Sequence, residues 1–425
     1  MTPADHHKIV CWPFCRIPGV LFLEFGNIHN ALPPWQMEPE FIFLFTFNPV
    51  SFSPRMSEFE RLQRRNQDYV LLETIKQVGA SNYSLIARLT GLNPETVRYK
   101  VSKQLAKFGL DLSINVNYSE LGFSMGLLTI TAGGSSNGGA VLGAGGWLDK
   151  VQYLLIMGKC VGTDKYVCLY GIPYRFKKKY LETISALKQK GLIEDFESTE
   201  LYWIRYPPFR SELYDFDAKS WAVDWRKIDG TAQEAGVTSF SVNRDSKVDE
   251  VDLKILRYLG EDPTSGLAKI GKEINANPRT VRYHHTEHVV KGNLMLGNRI
   301  RWVVPFREGA TSQIMQLVFS FKSLGQDEIA TPRKLFNKLP FTWLEAGTED
   351  RRYYAFLDIP IAHFHETMKY IEANSESLRN KYEMTMLDPS RTKYLSLPDH
   401  MFDKNLGWRL FGLTDDVKEI PRNQP

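Results

Sequence analysis

Seven residues recur in this chain: Asn-Pro-x-Thr-Val-Arg-Tyr begins at Asn93 and again at Asn277, 184 positions later. The residue types suit contact with a polyanion. Asn before Pro is a helix start, because the Asn side chain accepts from a free amide and Pro lacks only an N–H that would go unpaired there. An Arg early on such a helix can bond both acceptors of a guanine, worth about 1–3 kcal/mol of discrimination. Tyr and Thr hydroxyls reach phosphates. Val97, Val101 and Leu105 recur every four positions and should face inward, as should Val281, His285 and Val289. Glu95, Ser102, Thr286 and Glu287 share the outward face with the candidate DNA contacts. Those contacts are Asn93, Thr96, Arg98, Tyr99, Lys100 and Lys103 in the first helix, and Arg279, Thr280, Arg282, Tyr283 and His284 in the second.

Other groupings are weaker. His284 and His288 stand four apart on one helical face, a geometry that could hold a metal, but no Cys or second ligand pair lies near them in sequence. The expectation is no metal, with His284 near phosphate and His285 in the core. The Gly-rich run 133–146 lacks the Lys-Ser/Thr of a phosphate-cradling loop and reads as a flexible connection. Trp203, Trp221 and Trp225 read as packing residues rather than a ligand cage. No nucleophile–base grouping and no cofactor fingerprint appears, so no catalytic residue, cofactor or enzymatic activity is expected.

The elements that position the repeated phrase are themselves repeated. At an offset of 184, Asp68-Tyr-Val-Leu-Leu falls on Asp252-Leu-Lys-Ile-Leu; further on, YVCLYGIPYRFKKKYLETI falls on YYAFLDIPIAHFHETMKYI at an offset of 187. DFDAKSW at Asp215 pairs in the same way with MFDKNLGW at Met401. Each copy reads as helix, short helix, capped helix and β-wing, then strand, connection, strands, helix, strand. The fold class expected is α+β: two tandem modules, each a winged helix-turn-helix followed by a ferredoxin-like βαββαβ domain. The boundaries expected are an N-terminal extension over 1–55, winged helices over 56–122 and 247–306, α/β domains over 123–210 and 307–400, a linker over 211–246 and a tail over 401–425.

Composition sets outer limits. The chain has 425 residues, 43% hydrophobic and 24% charged, with a net charge of +4, enough for several packed domains but only mildly basic. Residues 56–110 hold nine basic and five acidic side chains, and 248–305 hold nine and seven, so each winged helix alone should bind DNA weakly. Two tethered modules gain by effective concentration. Cys11, Cys15, Cys160 and Cys168 lack metal-ligand spacing and suit reduced thiols in the cytoplasm. No apolar run is long enough for a membrane span. The aromatic, charge-poor stretch before Met56 lacks periodicity, and Met56 is the expected start of the protein proper.

VDEVDLKILRYL at Val248 resembles the opening helix of the Lrp/AsnC regulators, and INVNYSELGF, ending at Phe123, resembles their wing and hinge. The resemblance covers nearly all of 56–400. It implies a transcription regulator that binds double-stranded DNA, with α/β domains that sense a small-molecule effector or assemble into a homodimer. Two recognition helices in one chain would then meet successive major-groove faces about 10 bp apart, or a multiple of that. The rival is an enzyme: some Lrp/AsnC-like proteins are tetrapyrrole decarboxylases of haem biosynthesis. That reading places Arg and His in a cleft between the α/β domains, with His363 and His365 as the histidine candidates. A third is a sensor or assembly protein that does not bind DNA.

Overall fold

The computed structural model describes residues 66–133, 151–228, 237–240, 248–302, 314–322, 324–378 and 380–410. The 1–55 extension, the Gly-rich run after Gly133 and the last residues of the tail lie outside them.

Asn66 accepts the Asp68 amide at 2.8 Å and starts α1 (Gln67–Val78), whose Leu71, Leu72 and Ile75 are buried. After α2 (Tyr83–Thr90) the chain turns at Gly91, with φ +71°, a left-handed angle that Gly takes at least cost. Next, α3 runs from Pro94–Tyr99 through π-helical turns at Lys100–Gln104 to Leu105–Lys107, and strand β1 (Leu110–Val116) follows. The same series recurs as α5 (Glu250–Glu261), α6 (Leu267–Glu273), α7 (Pro278–Tyr283, continued as π turns over His284–Val290) and β10 (Met295–Trp302). The strands that follow the two helical series pair with each other: β1 and β10 form an antiparallel ladder with Ser113 opposite Arg299 and Asp111 opposite Arg301.

Between and beyond these helices lie β2 (Phe123–Ala132), β3 (Leu154–Cys160), β4 (Lys165–Pro173), α4 (Lys177–Gln189), β5 (Ile193–Leu201) and β6 (Trp203–Arg205). Three two-residue strands follow, β7 (Tyr214–Asp215), β8 (Ser220–Trp221) and β9 (Thr238–Ser239). The second run comprises β11 (Ile314–Phe321), α8 (Ala330–Lys338), β12 (Thr342–Gly347), β13 (Tyr353–Pro360), α9 (Ile361–Asn374) and β14 (Tyr382–Tyr394). It ends in β15 (Phe402–Asp403) and β16 (Gly407–Trp408), a hairpin like that of β7 and β8.

These strands make a ten-stranded antiparallel sheet in the order β5-β2-β4-β3-β14-β11-β13-β12-β6-β9. The order contains two four-strand runs of the same connectivity, in which the last strand lies beside the first and the third beside the second. The runs are joined because β14 leaves β11 to pair with β3, and β6 leaves β5 to pair with β12.

Alternation along each strand divides the core. Met125 and Leu127 of β2, Val167 and Leu169 of β4, and Tyr354 and Phe356 of β13 meet in one apolar cluster that joins the two runs. The opposite faces are covered crosswise. Leu71, Val97 and Leu105 of the first helical unit share a cluster with Phe319, Leu357 and Ile371 of the second run. Leu253, Val281 and Val289 of the second unit share one with Leu128, Tyr170 and Ile184 of the first run. Burying such side chains contributes about 1.5–3 kcal/mol each, so the crossing is held mainly by apolar contact. The architecture is mixed α+β around a large antiparallel sheet.

Candidate functional site

The third helices fold as their caps dictate. Asn93 Oδ1 accepts the Glu95 amide and Asn277 Oδ1 accepts the Arg279 amide, both at 2.9 Å. Val97, Val101 and Leu105 are buried, as are Val281 and Val289, while His285 is half-buried and burial lowers its pKa. Asn93, Thr96, Arg98, Tyr99 and Lys103 are exposed, as are Arg279, Thr280, Arg282 and Tyr283. Arg98 is tied only loosely, to Glu95 at 3.3 Å. Lys100 and His284 instead turn inward: Lys100 Nζ pairs with Asp68 at 2.6 Å, and His284 Nδ1 lies 2.9 Å from Asp252.

A second site, which sequence reasoning did not find, lies where the β1–β10 ladder meets the sheet. A cleft of about 240 Å³ is lined by Tyr118, Tyr206, Arg299, Arg301, Trp343 and Tyr394, with Leu256 and Arg257 of α5 at its side. Arg299 also lines a neighbouring cleft of about 350 Å³, together with Lys76, Asn115 and Asn298. Alternation puts Arg299 and Arg301 on one face of β10, and aromatic rings hold them there. Arg299 lies 4.6 Å from the Tyr206 ring and 5.3 Å from that of Trp343. Arg301 lies 4.6 Å from the Trp343 ring and 3.9 Å from that of Tyr394.

The two guanidiniums differ in their company. Arg301 pairs with buried Asp358 at 2.7 Å and donates to the Tyr394 hydroxyl; Gln316 donates to Asp358 and to Tyr394, each at 3.1 Å. Burial opposes the charge of Arg301, but Asp358 and Tyr394 more than offset it, so its pKa rises. Arg299 has no carboxylate within ion-pair distance among the described residues, and its one hydrogen bond is a long one to the Trp343 carbonyl, at 3.5 Å. Burial, with the charge of Arg301 added, brings its pKa down to about 10, which leaves it cationic at neutral pH. Arg301 Nε is buried without a hydrogen-bond partner among the described residues. Asp111 stands exposed at the rim, opposite Arg301 in the ladder. Around the arginines the phenols are kept neutral: burial raises the pKa of Tyr118 and of Tyr206, and pushes Tyr394 up to about 12. The site can hold an anion with more than one acidic group and offer it un-ionised proton donors.

No histidine among the described residues lines this cleft. His363 faces the rings of Trp225 and Phe341, and His365 is exposed on α9. A signal for the arginines existed in NRIRWVVPF, whose alternating Arg-x-Arg marks one face of a strand. Its partners Tyr206, Trp343, Asp358 and Tyr394 lie too far away in sequence to be inferred. Trp221 is buried against Trp302 and Phe341, and Cys160 and Cys168 are buried free thiols. No helix among the described residues is long and apolar enough to cross a membrane.

Comparison with solved structures gives likenesses of two kinds. The siroheme decarboxylase NirDL, in complex with an iron-uroporphyrin III analogue, aligns over 76% of this chain and 91% of its own, with 10% identity and a TM-score of 0.46. Escherichia coli AsnC aligns over 32% of this chain and 90% of its own, at 18% identity and TM-score 0.26. The leucine response regulatory protein LrpA of Mycobacterium tuberculosis covers 34% of this chain and 92% of its own, at 16% identity and TM-score 0.24. No protein-family model and no curated protein sequence matches the chain. The expectation that the chain is not an enzyme is corrected: two solved structures that align over 76% of it are of a decarboxylase.

Proposed function

We propose that the chain is a decarboxylase-type enzyme built on a tandem two-module Lrp/AsnC-like scaffold, and that it holds a polycarboxylate of the tetrapyrrole class in the cleft of Arg299 and Arg301. The observation that carries this reading is Arg299, a guanidinium packed between two rings with no carboxylate within ion-pair distance among the described residues. A cation in a low-dielectric wall with no direct ion-pair partner favours an anionic ligand. Arg301, held by Asp358, would orient a second carboxylate. Binding a carboxylate that must leave would stabilise the reactant, so the arginines should grip the groups that stay. The departing group then belongs against the apolar wall of Leu155, Ile156 and Leu169, where its charge is poorly solvated. When the carbon–carboxylate bond breaks, carbon dioxide leaves and the electron pair stays on carbon. A proton from Tyr118, Tyr206 or Tyr394 takes its place.

Iron-uroporphyrin III is the probe. It should bind at one equivalent with a shift of its main absorption band and lose carbon dioxide measurable by mass. Arg299→Met should weaken binding about tenfold or more while the fold is unchanged by circular dichroism. Failure of the folded protein to bind it, or binding indifferent to Arg299→Met, would overturn the reading.

The exposed faces of α3 and α7 favour a second activity, binding of duplex DNA by Arg98, Tyr99, Lys103, Arg279, Arg282 and Tyr283. Gel shifts at several salt concentrations test it. The double variant Arg98→Ala/Arg282→Ala should abolish salt-sensitive binding, and retention of full affinity would refute the assignment.

A further inference from the structure

The second winged helix gathers four ligand-type side chains at one point. His284 and His288 of α7 both turn Nδ1 toward Asp252 of α5, at 2.9 Å and 3.1 Å. Asp249 approaches the same spot, with Oδ2 3.4 Å from His284 Nδ1. Asp249 leads two lives: Oδ1 caps α5 by accepting the Val251 and Asp252 amides at 2.9 Å and 3.0 Å, which leaves Oδ2 free to face the histidines. The four candidate ligand atoms all lie within 4.8 Å of one another, the one such group among the described residues. The side chain of Asp252 is 1% exposed, and its ion partners among the described residues are the two histidines alone.

The first half shows what this station requires. Asp68 occupies the place of Asp252, and there Lys100 Nζ delivers a cation at 2.6 Å while Gln104 donates at 3.0 Å. In the second half the residues at those positions are His284 and His288, so the built-in ammonium is missing and two imidazole nitrogens stand in its place. We propose that the station of Asp249, Asp252, His284 and His288 binds a divalent cation of the zinc class. It would be a four-ligand structural site that clasps α7 to α5. Tetrahedral zinc with nitrogen and oxygen ligands places those ligands about 3.3–3.5 Å apart; here three of the pairs are separated by 2.9–3.4 Å and all four atoms lie within 4.8 Å. Two imidazoles favour zinc, cobalt or nickel over calcium or magnesium. The carboxylates are already fixed by the cap, so binding needs small shifts of the imidazoles and loss of any proton they share with Asp252.

The test uses the full chain and cobalt(II), which reports tetrahedral coordination by an intense visible band. One equivalent should bind, zinc should displace it, and zinc alone should raise the melting temperature. His288→Ala should weaken binding beyond the roughly 10–100-fold that loss of an outer-shell partner costs. Because removal of a half-buried histidine can unfold the helix pair, the decisive variant is His284→Lys/His288→Gln, which copies the first half. It should stay folded, keep its melting temperature without metal and lose the cobalt band. Absence of stoichiometric binding by folded wild type, or an unchanged band in that double variant, would overturn the proposal. Neither outcome bears on the arginine cleft, which shares none of these side chains.

Discussion

The two halves of the chain pass through the same stations and furnish them with different chemistry. Where β6 crosses onto β12, Arg205 sits opposite Glu345, with side chains 1% and 0% exposed, ion-paired, and the Tyr353 hydroxyl also donates to Glu345. Where β14 crosses onto β3, Gly158 sits opposite Thr392, and Leu387 packs against it. One seam depends on a charge having its partner, the other on a volume being absent. The helix pins diverge likewise, with a lysine and a glutamine on Asp68 but two histidines on Asp252. Backbone geometry can therefore be held in common while the interaction that secures it is exchanged, provided a charge buried at the seam keeps its counter-charge.

The comparison breaks most visibly at the charged seam. Glu345→Gln leaves Arg205 buried without its counter-charge and should cost about 3–5 kcal/mol in urea unfolding. The apolar pair Arg205→Met/Glu345→Leu should recover most of that. A loss below about 1 kcal/mol for Glu345→Gln would show that the pair is not what secures this crossing. At the other seam, a Cβ on Gly158 would stand 2.9 Å from Leu387 Cδ1 and 3.2 Å from Thr392 Oγ1. Gly158→Ala should therefore cost about 1–3 kcal/mol, relieved when Leu387 is trimmed to Ala in a double-mutant cycle. Additivity of the two changes would refute the crowding.

The smallest effect is a pH slope. Burial lowers the pKa of His285, so as the pH falls below the usual histidine range the unfolded chain gains a proton that the folded chain resists. Stability present at neutral pH is then lost toward acid. His285→Val installs the residue that the first half carries at Val101, and should shrink the fall in melting temperature between about pH 7.5 and 5.5. His363, also lowered by burial, keeps part of the slope. An unaltered slope would mean that His285 is not a source of it.

Much of this was legible in the residues. The capped starts at Asn93 and Asn277, the inward valines and the run of strands follow from local rules: a side chain that accepts an amide, a period of about four, an alternation of two. The cleft was not legible, because Arg299 and Arg301 acquire their meaning from Tyr206, Trp343, Asp358 and Tyr394, each reached only by long-range pairing. The divalent-cation station escaped for the same reason. His284 and His288 are visible as a pair on one helix, but Asp252 lies 32 and 36 residues before them and meets them only when α7 packs on α5. His363 and His365, the histidines the enzyme reading points to, lie away from the cleft of Arg299 and Arg301.

By itself, then, the sequence determined the identity, order and inward faces of the elements, since each depends on neighbours within a few residues. Tertiary structure alone decided which helical unit covers which sheet run, which strands cross between the runs, and which charges end without a partner. Those outcomes depend on burial and on contacts between distant residues, and a side chain's charge acquires its energetic weight only once the surrounding water has been removed.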